Sequence, residues 1–139
     1  MAEPTARTGV AQLRLAVEVE DLEAAVRFYR DVLGLPEELV VDSEGGARVV
    51  ILDAGRATLE LVNPAQKALI DEIEVGAPVA PRIRVALEVT DTRRATEDVV
   101  AAGAELLGEP RRTPWDSLNA RVNAPDGLQL TLFEELGES

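Results

Sequence analysis

The chain has 139 residues, enough for one full hydrophobic core, and its 46% hydrophobic and 29% charged residues mark it as globular. It has no Cys and no His, which removes disulfides, thiolate chemistry and the commonest metal ligand and general base. A net charge of −12 argues against nucleic-acid binding, which needs Lys and Arg to neutralise phosphate.

Met1–Thr8 lacks the basic start and apolar run of a secretory signal, and no stretch has the length of a membrane span. The expectation is a cytoplasmic protein without a membrane partner. The acids are scattered, which suits solubility first and a cationic ligand second.

An internal repeat organises the chain. Residues 14–21 and 84–91, 70 positions apart, are identical at five of eight places: Arg14/Arg84, Ala16/Ala86, Glu18/Glu88, Val19/Val89 and Asp21/Asp91. Each copy opens with strict alternation, the mark of a two-faced strand. Leu13, Leu15, Val17 and Val19 oppose Arg14, Ala16 and Glu18; Ile83, Val85, Leu87 and Val89 oppose Arg84, Ala86 and Glu88.

Each strand ends at an Asp suited to cap a helix. Leu22, Ala25, Val26, Tyr29 and Val32 form one helical stripe, stopped by Gly34 and Pro36. Ala95, Val99, Val100 and Ala102 form the other, stopped by Gly103. Further strands are predicted at 38–41, 48–52 and 57–62, then at 104–107, 118–123 and 128–134, with a tight turn at Pro125-Asp126-Gly127. Between the halves, Asn63–Ile73 predicts a short helix with Pro64 in its first turn. The expected organisation is one domain over 1–139: repeat one at about 10–62, a linker with a short helix at 63–82, and repeat two at about 83–135. The fold class is α+β, two βαβββ repeats forming paired curved mixed sheets whose polar faces make a concave cup for a small ligand.

Asp21-Leu22, Phe28-Tyr29 and Leu33-Gly34 resemble the first helix of vicinal oxygen chelate proteins, D-L-x-x-x-x-x-F-Y-x-x-x-L-G. Pro125-Asp126-Gly127-Leu128-Gln129-Leu130 resembles their last turn and strand, D-P-D-G-x-x-[IL]-E. This is the superfamily of glyoxalases, bleomycin-resistance proteins and ring-cleaving dioxygenases. The resemblance implies four metal ligands, usually His or Glu, on the concave faces. Here those positions hold Arg14, Glu60, Arg84 and Thr131. Guanidiniums remain protonated and cannot donate a lone pair, so the usual metal site is not expected, and no cofactor is.

Two readings of the charges stand side by side. In one, Arg14 and Arg84 converge on a ligand carboxylate, with Glu60 as general base or polar anchor and Gln129 and Thr131 as neutral hydrogen-bonding groups. In the other, which is favoured, Arg14–Glu60 and Arg84–Glu88 are ion pairs filling the old metal site. Glu18, Glu88, Trp115, Arg121 and Phe133 complete the candidate ligand-binding set. Trp115 is either an aromatic wall or a loop anchor; Phe28 and Tyr29 belong to the core.

The resemblance implies a metal-independent binder of an unidentified small molecule, acting in resistance or sequestration as a homodimer. The alternatives are a glyoxalase-like lyase, isomerase or dioxygenase using Glu60, and a non-catalytic structural dimer.

Overall fold

A computed structural model describes residues 12–137. Its elements are α1 (Leu22–Val26), which runs on as a π-helical turn over Arg27–Val32, β1 (Glu37–Asp42), β2 (Arg48–Leu52), α2 (Pro64–Glu74), β3 (Val85–Glu88), α3 (Thr92–Ala101), β4 (Glu105–Arg112), β5 (Ser117–Asn123) and β6 (Gln129–Glu135). The architecture is α+β. One sheet is the hairpin β1–β2; the other is four-stranded and mixed, in the order β3-β6-β5-β4, with β3 parallel to β6 and the other pairs antiparallel.

The elements of repeat two form close to their predicted places, but Val100 and Ala102, expected on the apolar stripe of α3, are exposed. The Asp91 carboxylate caps α3 by accepting from the Arg94 N–H at 3.1 Å. Thr92, Thr96 and Val99, at spacings of four and three, make its buried stripe. Gly103, at φ 109°, ends it in the left-handed conformation. Beneath α3, Val85, Leu87, Val122, Leu130 and Leu132 form the core. β4 extends beyond its predicted end and takes in Pro110, tolerated because β4 is an edge strand. Ile83, expected on the buried face, is 60% exposed because pairing with β6 begins only at Val85.

Repeat one departs from expectation. Its capped helix and the hairpin form, but residues 13–19 and 57–62 adopt no strand. The internal repeat makes the difference measurable. Leu59 and Leu61 hold the places that Leu130 and Leu132 hold in β6, yet they are 73% and 88% exposed where Leu130 and Leu132 are 0%. A strand is stabilised by cross-strand neighbours and by what covers its faces, and alternation alone supplies neither. The repeat-two sheet has α3 on one face and α2 on the other, while α1 and its π-turn send Phe28 (4% exposed) into the repeat-two core.

Candidate functional site

The polar face of the four-stranded sheet collects alternate residues of two neighbouring strands. Ser117, Asn119 and Arg121 come from β5 and Gln129 and Thr131 from β6, with Arg121 and Thr131 directly paired. Arg84 stands just before β3. The linker helix α2 lies over this face.

Asn63 caps α2 by accepting from the Gln66 N–H at 2.9 Å, and Pro64 fills the first turn, where no N–H is required. Three residues apart on one side of the helix, Asp71 and Glu74 enter the cup and are each 2% exposed. Gly108 permits the approach: it pairs with Arg121 across β4–β5, and a Cβ there would overlap the Glu74 carbonyl oxygen.

Arg121, 0% exposed, is the centre of the network. Its Nε donates to Glu74 Oε1 at 2.9 Å, and its Nη1 donates to Asp71 Oδ1 at 2.7 Å and Gln129 Oε1 at 2.8 Å. Glu74 Oε1 also accepts from the Thr131 hydroxyl at 2.8 Å, and Oε2 accepts from the Asn119 amide at 2.7 Å. Asn119 Oδ1 accepts from Ser117 Oγ, which is also hydrogen-bonded to Thr113 Oγ1, so the chain runs on into the turn that carries Trp115. Asp71 Oδ2 accepts from the Val79 and Ala80 N–H groups at 3.0 Å each. Burial pushes the Asp71 carboxyl up, but the Ala80 N–H, the Arg121 guanidinium and the Val79 N–H outweigh it and hold the group below the usual carboxylate value.

Arg84 Nη1 donates to the Thr131 hydroxyl at 2.5 Å. Its pKa is lowered by burial and by the positive charge of Arg121, against the opposing pull of Glu74, Asp71 and Glu60.

The structure thus brings together Arg84, Arg121, Gln129 and Thr131 of the expected residues. Glu60 acts on Arg84 through its charge, but is itself exposed in a segment without strand structure. Arg14 and Glu18 are exposed in the segment before α1, and Glu88 is exposed on β3. Neither Arg14–Glu60 nor Arg84–Glu88 comes within 4.0 Å among the described residues. The buried ion pairs are Arg121–Asp71 and Arg121–Glu74. Trp115 is 51% exposed in the β4–β5 turn, and Phe133 is half-buried on β6.

Asp71 and Glu74 are the residues that sequence reasoning missed. Their signal was two acids at helical spacing in the linker helix, indistinguishable from a solvated face until a buried guanidinium is known to lie opposite.

The family's metal positions do not fit a cation. Arg14 and Arg84 are guanidiniums, the Thr131 hydroxyl is committed between Arg84 and Glu74, and among the described residues no three His, Cys, Asp or Glu side chains are grouped to hold a metal ion. No helix among the described residues is long and apolar enough to cross a membrane.

The profile of the Glyoxalase/Bleomycin resistance protein/Dioxygenase superfamily matches residues 11–132. The chain belongs to this superfamily. Solved structures with the superfamily's fold align along nearly the whole chain. A superfamily member from Sphaerobacter thermophilus has a TM-score of 0.60 at 22% identity, covering 91% of this chain and 98% of that one. A hypothetical protein from S. aureus has a TM-score of 0.62 at 16% identity, covering 95% and 99%. Mitochondrial methylmalonyl-CoA epimerase of Mus musculus is 47% identical over 51 residues, a segment that is 36% of this chain and 29% of the mouse protein.

Proposed function

We propose that this superfamily member is a metal-independent binding protein for a small organic molecule held on the polar face of the repeat-two sheet, in a resistance or sequestration role. The observation that supports this most is the chemistry at the family's metal positions. Arg84 donates to Thr131, and Thr131 in turn to Glu74, so the Arg84 guanidinium is left to offer donors to a ligand, and neither residue offers a cation the imidazole or carboxylate that the family's site uses. The binding set is Arg84, Arg121, Gln129 and Thr131, with Glu60, Phe133 and Trp115 at its margins, while the exposed Arg14, Glu18 and Glu88 stand outside it. A homodimer accords with the exposed Leu13, Leu15, Leu59 and Leu61, and light scattering tests it.

The deciding experiment is elemental analysis of protein purified without chelator, followed by a thermal-shift screen of small organic ligands. Sub-stoichiometric metal together with a saturable shift is the expected result. Metal at one equivalent that survives dialysis refutes the proposal.

The 47% identity to a segment of the mouse epimerase supports a second reading, an isomerase with Glu60 as base. It predicts methylmalonyl-CoA epimerisation that Glu60→Gln abolishes; no turnover by the wild-type protein eliminates it.

A further inference from the structure

One atom of the Arg121 guanidinium is left over. Nε and Nη1 are both used, but Nη2 is buried without a hydrogen-bond partner. Burying a donor of a charged group without an acceptor is costly, and native structures seldom leave one so. Beside it stands Arg84, half-buried. Among the described residues its guanidinium makes one hydrogen bond, to Thr131, and lies within 4.0 Å of no carboxylate. Arg121 is the charge that most strongly disfavours the protonated form of Arg84. Two neighbouring guanidiniums on this polar face thus carry donors that no side chain among the described residues uses.

We propose that Arg84 and the free Nη2 of Arg121 form a subsite for one carboxylate group of the ligand. The inference rests on the small-molecule reading of the cup and names the ligand's chemical class. A carboxylate presents two acceptor oxygens in one plane, the shape that guanidinium donors match. Its single charge also suits the site. Asp71 and Glu74 already balance the two guanidiniums, so a carboxylate adds one negative charge to the site where a dianionic phosphate adds two, and a cationic group is repelled by the nearest donors. The carboxylates of α2 thus hold Arg121 in position and leave one of its edges to the ligand.

The test compares wild-type protein with Arg84→Gln, whose amide keeps a donor for Thr131, and with Arg84→Lys, which keeps charge but not the fork. Calorimetric titration and thermal shift use propionate and benzoate, their amides, and inorganic phosphate as probes. The expected result is saturable stabilisation by the carboxylates and none by the amides. Affinity falls about tenfold or more in Arg84→Gln and less in Arg84→Lys. Equal responses to acid and amide, no response to any carboxylate, a stronger response to phosphate, or unchanged affinity in Arg84→Gln each overturns the subsite. A neutral ligand seated in the cup and indifferent to Arg84→Gln removes the subsite while sparing the broader function. Stoichiometric metal removes the broader function itself.

Discussion

Removing the Glu74 carboxylate tests whether α2 is an integral part of the cup. In Glu74→Ala, Arg121 loses the acceptor of its Nε, and the Thr131 hydroxyl and the Asn119 amide lose theirs. Breaking a buried ion pair from one side costs about 3–5 kcal/mol, because the remaining charge is left uncompensated. Against a total stability of about 5–15 kcal/mol for a domain, that is a large fraction. Glu74→Gln is expected to cost less than Glu74→Ala, since Asn119 can turn its amide over and accept from the new NH₂ while donating to Ser117. The control is Arg48→Ala. Arg48–Asp42 has the same N–O distance as Arg121–Glu74, 2.9 Å, but its side chains are 50% and 64% exposed, so its loss is expected to leave the unfolding midpoint unchanged within error. Urea unfolding followed by far-UV circular dichroism measures all three. A loss below about 1 kcal/mol for Glu74→Ala, or one indistinguishable from the Arg48→Ala control, refutes the network as the element that holds α2 in place.

The Asp71 carboxyl sits below its ordinary value when folded, so its contribution is present above the unfolded value of about 3.9 and is lost as pH falls through the folded one. Asp71→Asn is therefore expected to be less stable at neutral pH but to lose stability less steeply below about pH 4, as read from unfolding midpoints across an acid series. Gly108→Ala places a Cβ against the Glu74 carbonyl and is expected to cost about 1–3 kcal/mol and to speed hydrogen exchange in α2. Leu132→Ala is expected to cost about 2–5 kcal/mol, while Leu61→Ala, at the matching place in repeat one, leaves monomer stability nearly unchanged. If Leu61→Ala instead shifts the association state in light scattering, that surface pairs between copies. Tyr29→Phe removes the 3.0 Å bond from the phenol to Asp126 Oδ1 on the β5–β6 turn, and chemical denaturation is expected to show a loss of about 1–3 kcal/mol because the carboxylate is left short of partners.

Local signals determined much of this protein. The Asp caps at Asp21 and Asp91, Pro64 in the first turn of α2, the stopping glycines Gly34 and Gly103 and the Pro125-Asp126-Gly127 turn each act within a few residues, and each element they delimit is where the sequence puts it. The repeat and the Phe28-Tyr29 helix carried the α+β class and the superfamily. Alternation over 13–19 and 57–62 did not become strands, because pairing and coverage are supplied by distant parts of the chain. Arg121 was a candidate from its strand face alone, but its centrality depends on Asp71 and Glu74, 50 and 47 residues away and carried in by a linker helix. A carboxylate on a helix looks the same in sequence whether it faces water or a buried guanidinium. Only the docking of α2 against Gly108 decides between them.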